Sequence, residues 1–309
     1  MNRIAIAVHG GAGPDSDHIH QNEEKYKKGI EEAVNKGYEL LQQGRSAIDA
    51  VEAAVRSLED NPFFNAGKGS AINAKAEVEM CASIINGENR SSGAVAIVRN
   101  IRNPVSLARA VMEKTKHIYI GSYGALDFAK QINAPLEPDS YFITEHQYEV
   151  YEQKRKESGG DHQKTAKEQV QERSHGTVGA VALDQFGNIA AATSTGGIEY
   201  SKEGRIADSS MIGIGSFADN KTCAVSSTGD GEFLIKNVTA YQISALMEYK
   251  GLNLKEACYY LVHEKLKDGD GDMGIIALDK KGNIAMEFNS DRMHRGFRST
   301  DGELFVAIY

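Results

Sequence analysis

Three clusters of hydroxyl side chains set among glycines are the places where this chain could do chemistry. They are Thr177 after Gly176, Thr193-Ser194-Thr195 before Gly196-Gly197, and Ser226-Ser227-Thr228 before Gly229-Asp230-Gly231. A threonine hydroxyl is a weak nucleophile unless a base sits beside it. No Ser/His/Asp signature, Walker loop, H-E-x-x-H, G-x-S-x-G or complete G-x-G-x-x-G motif supplies one. Each cluster alone is ordinary, because threonine is common at strand ends and glycine in turns. The position of Thr177 changes that reading. With the peptide bond before it cut, its own α-amine, of pKa near ~8, can take the hydroxyl proton. Gly176, ending a charged stretch, predicts such a cut. Glycine tolerates a strained geometry that brings the hydroxyl onto the preceding carbonyl, where an N→O acyl shift gives an ester whose hydrolysis frees the amine.

Other groups point nowhere. Asp268-Gly269-Asp270-Gly271-Asp272 resembles a calcium loop, but Met273 and Asp279 stand where glycine and glutamate are needed, so a polar turn is expected. The nine histidines lack ligand spacing. Cys81, Cys223 and Cys258 are odd in number and also lack it, which suits a reducing compartment. With 43 acidic against 35 basic side chains, the net charge of −8 argues against a nucleic-acid partner. No apolar run reaches the ~18 residues a membrane helix needs, and the N-terminal one is too short for a signal peptide. A cytoplasmic protein is expected.

The elements that must position the hydroxyls follow from pattern. Ile4 to Val8 reads as a buried strand running into the glycine loop His9-Gly10-Gly11-Ala12-Gly13. Three- and four-residue apolar spacing predicts a helix over 22–43. Ser46 caps a second over 47–58, and a third is expected near 105–114. Strands are expected near 78–85 and 94–98. Residues 145–175 are dense in charge and poor in large apolar residues, and read as a solvated, mobile linker, partly helical. Two segments echo each other. Gly176 to Ala190 and Gly271 to Ala285 each run apolar strand, Asp-x-x-Gly-Asn turn, apolar strand, which predicts two hairpins with one turn chemistry.

Across nearly its whole length the chain resembles the isoaspartyl peptidase/plant-type L-asparaginase family of N-terminal nucleophile hydrolases. The residues that carry the resemblance are His9-Gly10-Gly11-Ala12-Gly13, Ser46 to Val51, Asn65-Ala66-Gly67-Lys68-Gly69 and Gly93 to Ala96. To these add Asn103-Pro104, His175-Gly176-Thr177-Val178-Gly179, Ala192 to Gly197, Gly204 to Ser209 and Thr228 to Glu232. The resemblance implies an α+β fold, a four-layer αββα sandwich, over one folding unit of residues 1–309. It also implies self-cleavage between Gly176 and Thr177 into an α chain (1–176) and a β chain (177–309). Thr177 would be the nucleophile and Thr195 its support, with Thr228 and Gly229 as the oxyanion hole. Arg205 and Asp208 would clamp the substrate α-carboxylate and α-ammonium, with Gly231 contacting the amine. Asn65, Gly10 and Gly11 would be supporting residues. The backbone carbonyls of Leu58, Glu59, Asn61, Phe64, Ala66 and Lys68 would hold a structural sodium ion. No cofactor is implied for the reaction. The implied substrates are β-aspartyl dipeptides and L-asparagine, and the implied assembly is a homodimer of processed αβ units.

Three positions depart from the family pattern. Cys81 and Asn86 stand where aspartates are expected, far from Thr177 in sequence, and Asp230 is an added carboxylate near the clamp. Asp230 is expected to tune maturation or specificity. A glycosylasparaginase-like enzyme is disfavoured by the signature around Thr177 and by the absence of tryptophan. A taspase-like protease lacks a docking feature. An unprocessed, catalytically silent aspartate-binding homologue is the alternative from a different class.

Overall fold

A computed structural model describes residues 3–159, 176–300 and 302–309. Eight strands form one sheet: β1 (Ala5–Gly13), β2 (Met80–Asn86), β3 (Ser92–Val98), β4 (Tyr119–Gly121), β5 (Val178–Leu183), β6 (Ile189–Thr195), β11 (Arg292–Ser299) and β12 (Leu304–Ala307). Their order is β12-β11-β1-β5-β6-β2-β3-β4, antiparallel except for β3 and β4. The second sheet holds β7 (Ser216–Ala218), β8 (Cys223–Gly229), β9 (Met273–Asp279) and β10 (Ile284–Phe288), in the order β10-β9-β8-β7.

The layering follows from the two-residue period of the central strands. Ile6, Val8, Val178, Ala180 and Ala182 face one apolar core, while Ala5, Ala7, Val181 and Leu183 face the other. The first core lies under helices α1 (Asp17–Gln42), α2 (Ala47–Glu59) and α3 (Pro104–Lys114). The second lies between the sheets and continues beneath α7 (Gly231–Asn237), α8 (Thr239–Lys250) and α9 (Leu254–Tyr259), which follow α4 (Ser122–Gln131), α5 (Asp139–Phe142) and α6 (Glu145–Glu157) in the chain. Strands buried on both faces read as unbroken apolar runs. The result is the αββα sandwich expected.

The local signals are realised with small shifts. Ser46 caps α2 by accepting from the Asp49 N–H at 3.2 Å. Strand β1 runs on through the glycine segment, with a register shift between His9 and Ala12. The paired turns are alike: Asp184 accepts from the N–H groups of Phe186 and Asn188, and Asp279 from those of Lys281 and Asn283. One hairpin sits in each sheet. Of the expected linker, residues 145–157 form α6, anchored by buried Gln147 and Tyr151. The rest of the linker, including His175, lies outside the described residues apart from 158 and 159.

Candidate active site

Strand pairing brings the three hydroxyl clusters together. Val178 pairs with Ser194, so the start of β5 lies beside the end of β6, and Thr177 and Thr195 are neighbours. Strand β8 of the other sheet ends at Thr228 and Gly229. The result is a narrow cleft lined by Thr177, Thr195, Arg205, Asp208, Gly229 and Gly231, among others, with Gly176 at its rim. The Thr228 hydroxyl oxygen accepts from the Ala12 N–H at 3.3 Å.

Several glycines here have definite reasons. At Gly229, φ is +130°, and a Cβ would lie 2.2 Å from the Asp272 carbonyl oxygen. At Gly176, φ lies outside the left-handed region; a Cβ there would sit 2.7 Å from that of Asn65. Close approach to Asn65, rather than a left-handed backbone, is thus what demands glycine before Thr177. Asn65 ties this corner together: its Nδ2 donates to the Gly197 carbonyl at 2.7 Å, and its Oδ1 accepts from the Ala71 N–H at 2.8 Å. At Gly10, a Cβ would run into the Phe64 ring. Gly11, at φ +115°, carries the register shift of β1.

Gly231 lies tight against Arg205 and Asp208. A Cβ at Gly231 would lie 2.6 Å from Arg205 Nη2 and 2.9 Å from Asp208 Oδ1. Gly231→Ala should leave the fold intact, because the colliding guanidinium can swing, but should raise KM for an aspartyl substrate about tenfold or more by misplacing the clamp. Steady-state kinetics beside a thermal melt checks this; an unchanged KM refutes it.

Arg205 does not stand alone. Its Nε and Nη2 donate to the two carboxylate oxygens of Glu232 at 3.0 and 2.9 Å, a bidentate pair that leaves Nη1 without a partner among the described residues. Asp208 is buried, and its Oδ2 has no hydrogen-bond partner among the described residues. Burial pushes its carboxyl up to about 7; Arg205 opposes the shift, while Glu232 and, less, Asp230 add to it.

Behind Thr177 lies a buried polar chain. His9 Nδ1 is 3.0 Å from the Thr177 carbonyl, and Nε2 is 2.7 Å from Ser226 Oγ, which is 2.7 Å from Thr193 Oγ1. A carbonyl only accepts, so Nδ1 carries the proton and Nε2 accepts from Ser226. Burial lowers the His9 pKa to about 3, so the ring stays neutral.

Glu59 is also fully buried. Its Oε1 accepts from Ser194 Oγ at 2.7 Å and from the Val105 N–H at 3.0 Å, while Oε2 has no partner among the described residues. Burial outweighs these bonds and raises its pKa from 4.5 to about 8, so the folded protein holds it protonated at neutral pH. The folded state therefore binds the extra proton. The stability this contributes is complete below about 4.5 and is lost as pH rises to about 8. Glu59→Gln mimics the protonated group. The melting temperature of the parent should fall relative to this variant across that window, and parallel curves refute the assignment.

The departures from the family pattern have places too. Cys81 is distant in sequence but pairs directly with Thr195 and is buried beside Ala207. Burial raises its thiol pKa. Asn86 accepts from the Glu88 N–H in the β2–β3 turn, as an aspartate would. Asp230 caps α7 by accepting from the Glu232 and Phe233 N–H groups at 3.1 and 3.3 Å. In the 58–68 loop, the carbonyls of Leu58, Glu59, Asn61 and Phe64 accept from Asn61, Lys68, Phe64 and Ala66. Each keeps a second lone pair for a cation.

The sequence reading gives no role to the side chains of His9, Glu59 and Glu232, and names Ser226 only as one member of a hydroxyl cluster. His9 and Glu232 lie inside motifs that were visible, but their partners are set by tertiary pairing.

The αββα sandwich, with a threonine leading a central strand and Arg205 and the buried Asp208 in the same cleft, is consistent with the fold of the N-terminal nucleophile hydrolases. A family model described as "Asparaginase" matches residues 2–308, and the chain belongs to that family. It is 43% identical to an isoaspartyl peptidase of Salmonella typhimurium, covering 100% of this chain and 99% of that one. It is 42% identical to the isoaspartyl peptidase of Escherichia coli (100% and 97% covered) and 42% identical to an isoaspartyl peptidase/L-asparaginase of Bos taurus (100% and 96%).

Proposed function

We propose that the protein is a self-processing threonine amidohydrolase that cleaves β-aspartyl dipeptides and hydrolyses L-asparagine to aspartate and ammonia. The observation that carries this reading is the single cleft shared by Thr177, Thr195, Arg205, Asp208, Gly229 and Gly231. Cleavage before Thr177 frees its amine, which then serves as base for its own hydroxyl. The clamp holds the aspartyl half by its two charges: Arg205 Nη1 takes the α-carboxylate, and ionised Asp208 takes the α-ammonium. The side-chain carbonyl then faces Thr177 Oγ1. Thr195, whose oxygen accepts from the Gly197 N–H at 3.2 Å, turns its own proton toward the nucleophile. The Thr228 hydroxyl and the Gly229 N–H receive the oxyanion. The acyl-enzyme ester forms as the amine leaves, and water releases aspartate. Asp230 acts through the α7 cap and its push on Asp208. A sodium ion on the 58–68 loop carbonyls would be structural, fixing Asn65. Two processed αβ units form the working dimer. The free thiols of Cys81, Cys223 and Cys258 suit a reducing cytoplasm.

The test is to follow intact mass at neutral pH, then assay the processed protein on asparagine, β-aspartyl dipeptides and the matching α-aspartyl dipeptides. Cleavage before Thr177 with turnover of the first two only is expected. A permanently unbroken chain that retains aspartate would support the silent binding homologue instead.

A further inference from the structure

A second hollow opens on the other side of Gly176, and none of the roles above uses it. Gly176 is the wall it shares with the clamp cleft, and Gly10 and Asn65 continue that wall. Deeper in lie Arg292 and His294. Arg292 is only 4% exposed. Its Nε donates to the Pro14 carbonyl at 3.0 Å, and its Nη1 lies 3.2 Å from His294 Nδ1. No carboxylate among the described residues lies within ion-pair distance; the nearby Asp15 pairs with His20 instead. A buried guanidinium held only by neutral acceptors is poorly compensated and favours an incoming anion. Because His294 Nδ1 accepts from Arg292, its proton sits on Nε2. That atom is buried and has no hydrogen-bond partner among the described residues, although the Gly10 backbone lies close to the ring. Along the side stand the rings of Tyr26, Phe63 and the His18–His146 pair, stacked 3.6 Å apart, with Thr144, Glu145 and Gln147 completing the lining. Cation and unused donor at the base, with rings along the side, complement a carboxylate carried on a small apolar body.

The substrate read above contains one. In a β-aspartyl dipeptide the leaving half is an amino acid with its own α-carboxylate, whereas asparagine releases only ammonia. Cutting the chain before Thr177 removes the covalent wall between the two hollows. We propose that this hollow is the leaving-group subsite, where Arg292 and His294 receive the α-carboxylate of the departing residue and the rings receive its side chain. The subsite favours apolar and aromatic leaving residues, and it rests on the amidohydrolase reading.

The experiment compares kcat/KM of the processed wild-type protein for β-aspartyl-phenylalanine and for its C-terminal amide, with asparagine assayed alongside. The acid should be preferred at least about tenfold, the worth of one hydrogen-bonded charge pair. Arg292→Gln should bring that preference close to one, and Arg292→Lys should keep part of it. Equal rates for acid and amide in the wild-type protein overturn the subsite whatever the variants do. A preference untouched by Arg292→Gln also overturns it, leaving the hollow to another carboxylate such as the new terminus at Gly176. Hydrolysis of asparagine without the dipeptide sinks the subsite alone; hydrolysis of neither sinks the amidohydrolase reading with it.

Discussion

Thr177→Ala protein is expected to remain a single chain and to lose hydrolysis of both asparagine and β-aspartyl dipeptides by at least about 10³-fold. The magnitude follows from asking one hydroxyl to open its own peptide bond and then attack substrate: without it, only the binding and oxyanion groups remain to act on water. Thr177→Ser keeps hydroxyl and amine, and should both cleave and turn over at reduced rates. Intact mass over days at neutral pH and ammonia release read the two reactions separately. Splitting of the alanine variant at the same bond would remove Thr177 from the self-cleavage step.

The second large effect belongs to Asp208. Asp208→Asn should cut kcat/KM for asparagine by roughly two to three orders of magnitude, the scale for losing one partner of a buried charge pair. The pH dependence gives this prediction a sign. In the empty site the carboxyl titrates at about 7, so it is protonated below that and ionised above. An ammonium needs the ionised form. The inhibition constant of L-aspartate should therefore rise as pH falls through about 7, approaching tenfold per unit at the acid end. Asp208→Asn should abolish the tight binding and this dependence together. A dependence that survives in the variant would move the titrating group elsewhere, the Thr177 amine being the next candidate.

The two kinds of signal were unequally legible. Strands such as Val178 to Leu183 are apolar on both faces, and helices such as Ala47–Glu59 carry their caps, so local chemistry announces them. The αββα arrangement and the clamp became legible through the resemblance, not through periodicity. What stayed hidden are juxtapositions across long sequence separations. Cys81 looks remote until β2 pairs with β6 and sets it against Thr195. Glu59 reads as an ordinary helix-end acid until Ser194 and Val105 close over it. The resemblance gives Arg205 only a substrate carboxylate, yet Glu232, 27 residues on, already holds two of its nitrogens. Exposure, protonation and pairing are properties of the assembled neighbourhood, and no local pattern encodes them.

The strand order carries one more consequence. In the larger sheet, β1, β2, β3 and β4 come from before Thr177 and β5, β6, β11 and β12 from after it, and the two sets are interleaved. A cut before Thr177 severs no strand, so the nicked molecule stays whole. Its blueprint for assembly, however, was one continuous thread. Once heated past its transition, a nicked protein would have to reunite two separate strings in interleaved order, a second-order search with exposed sheet edges inviting aggregation. The uncut precursor faces no such search. Maturation at this bond would therefore work as a ratchet: it would trade the capacity to refold for the capacity to react, and the active form would live only as long as its first folding lasts.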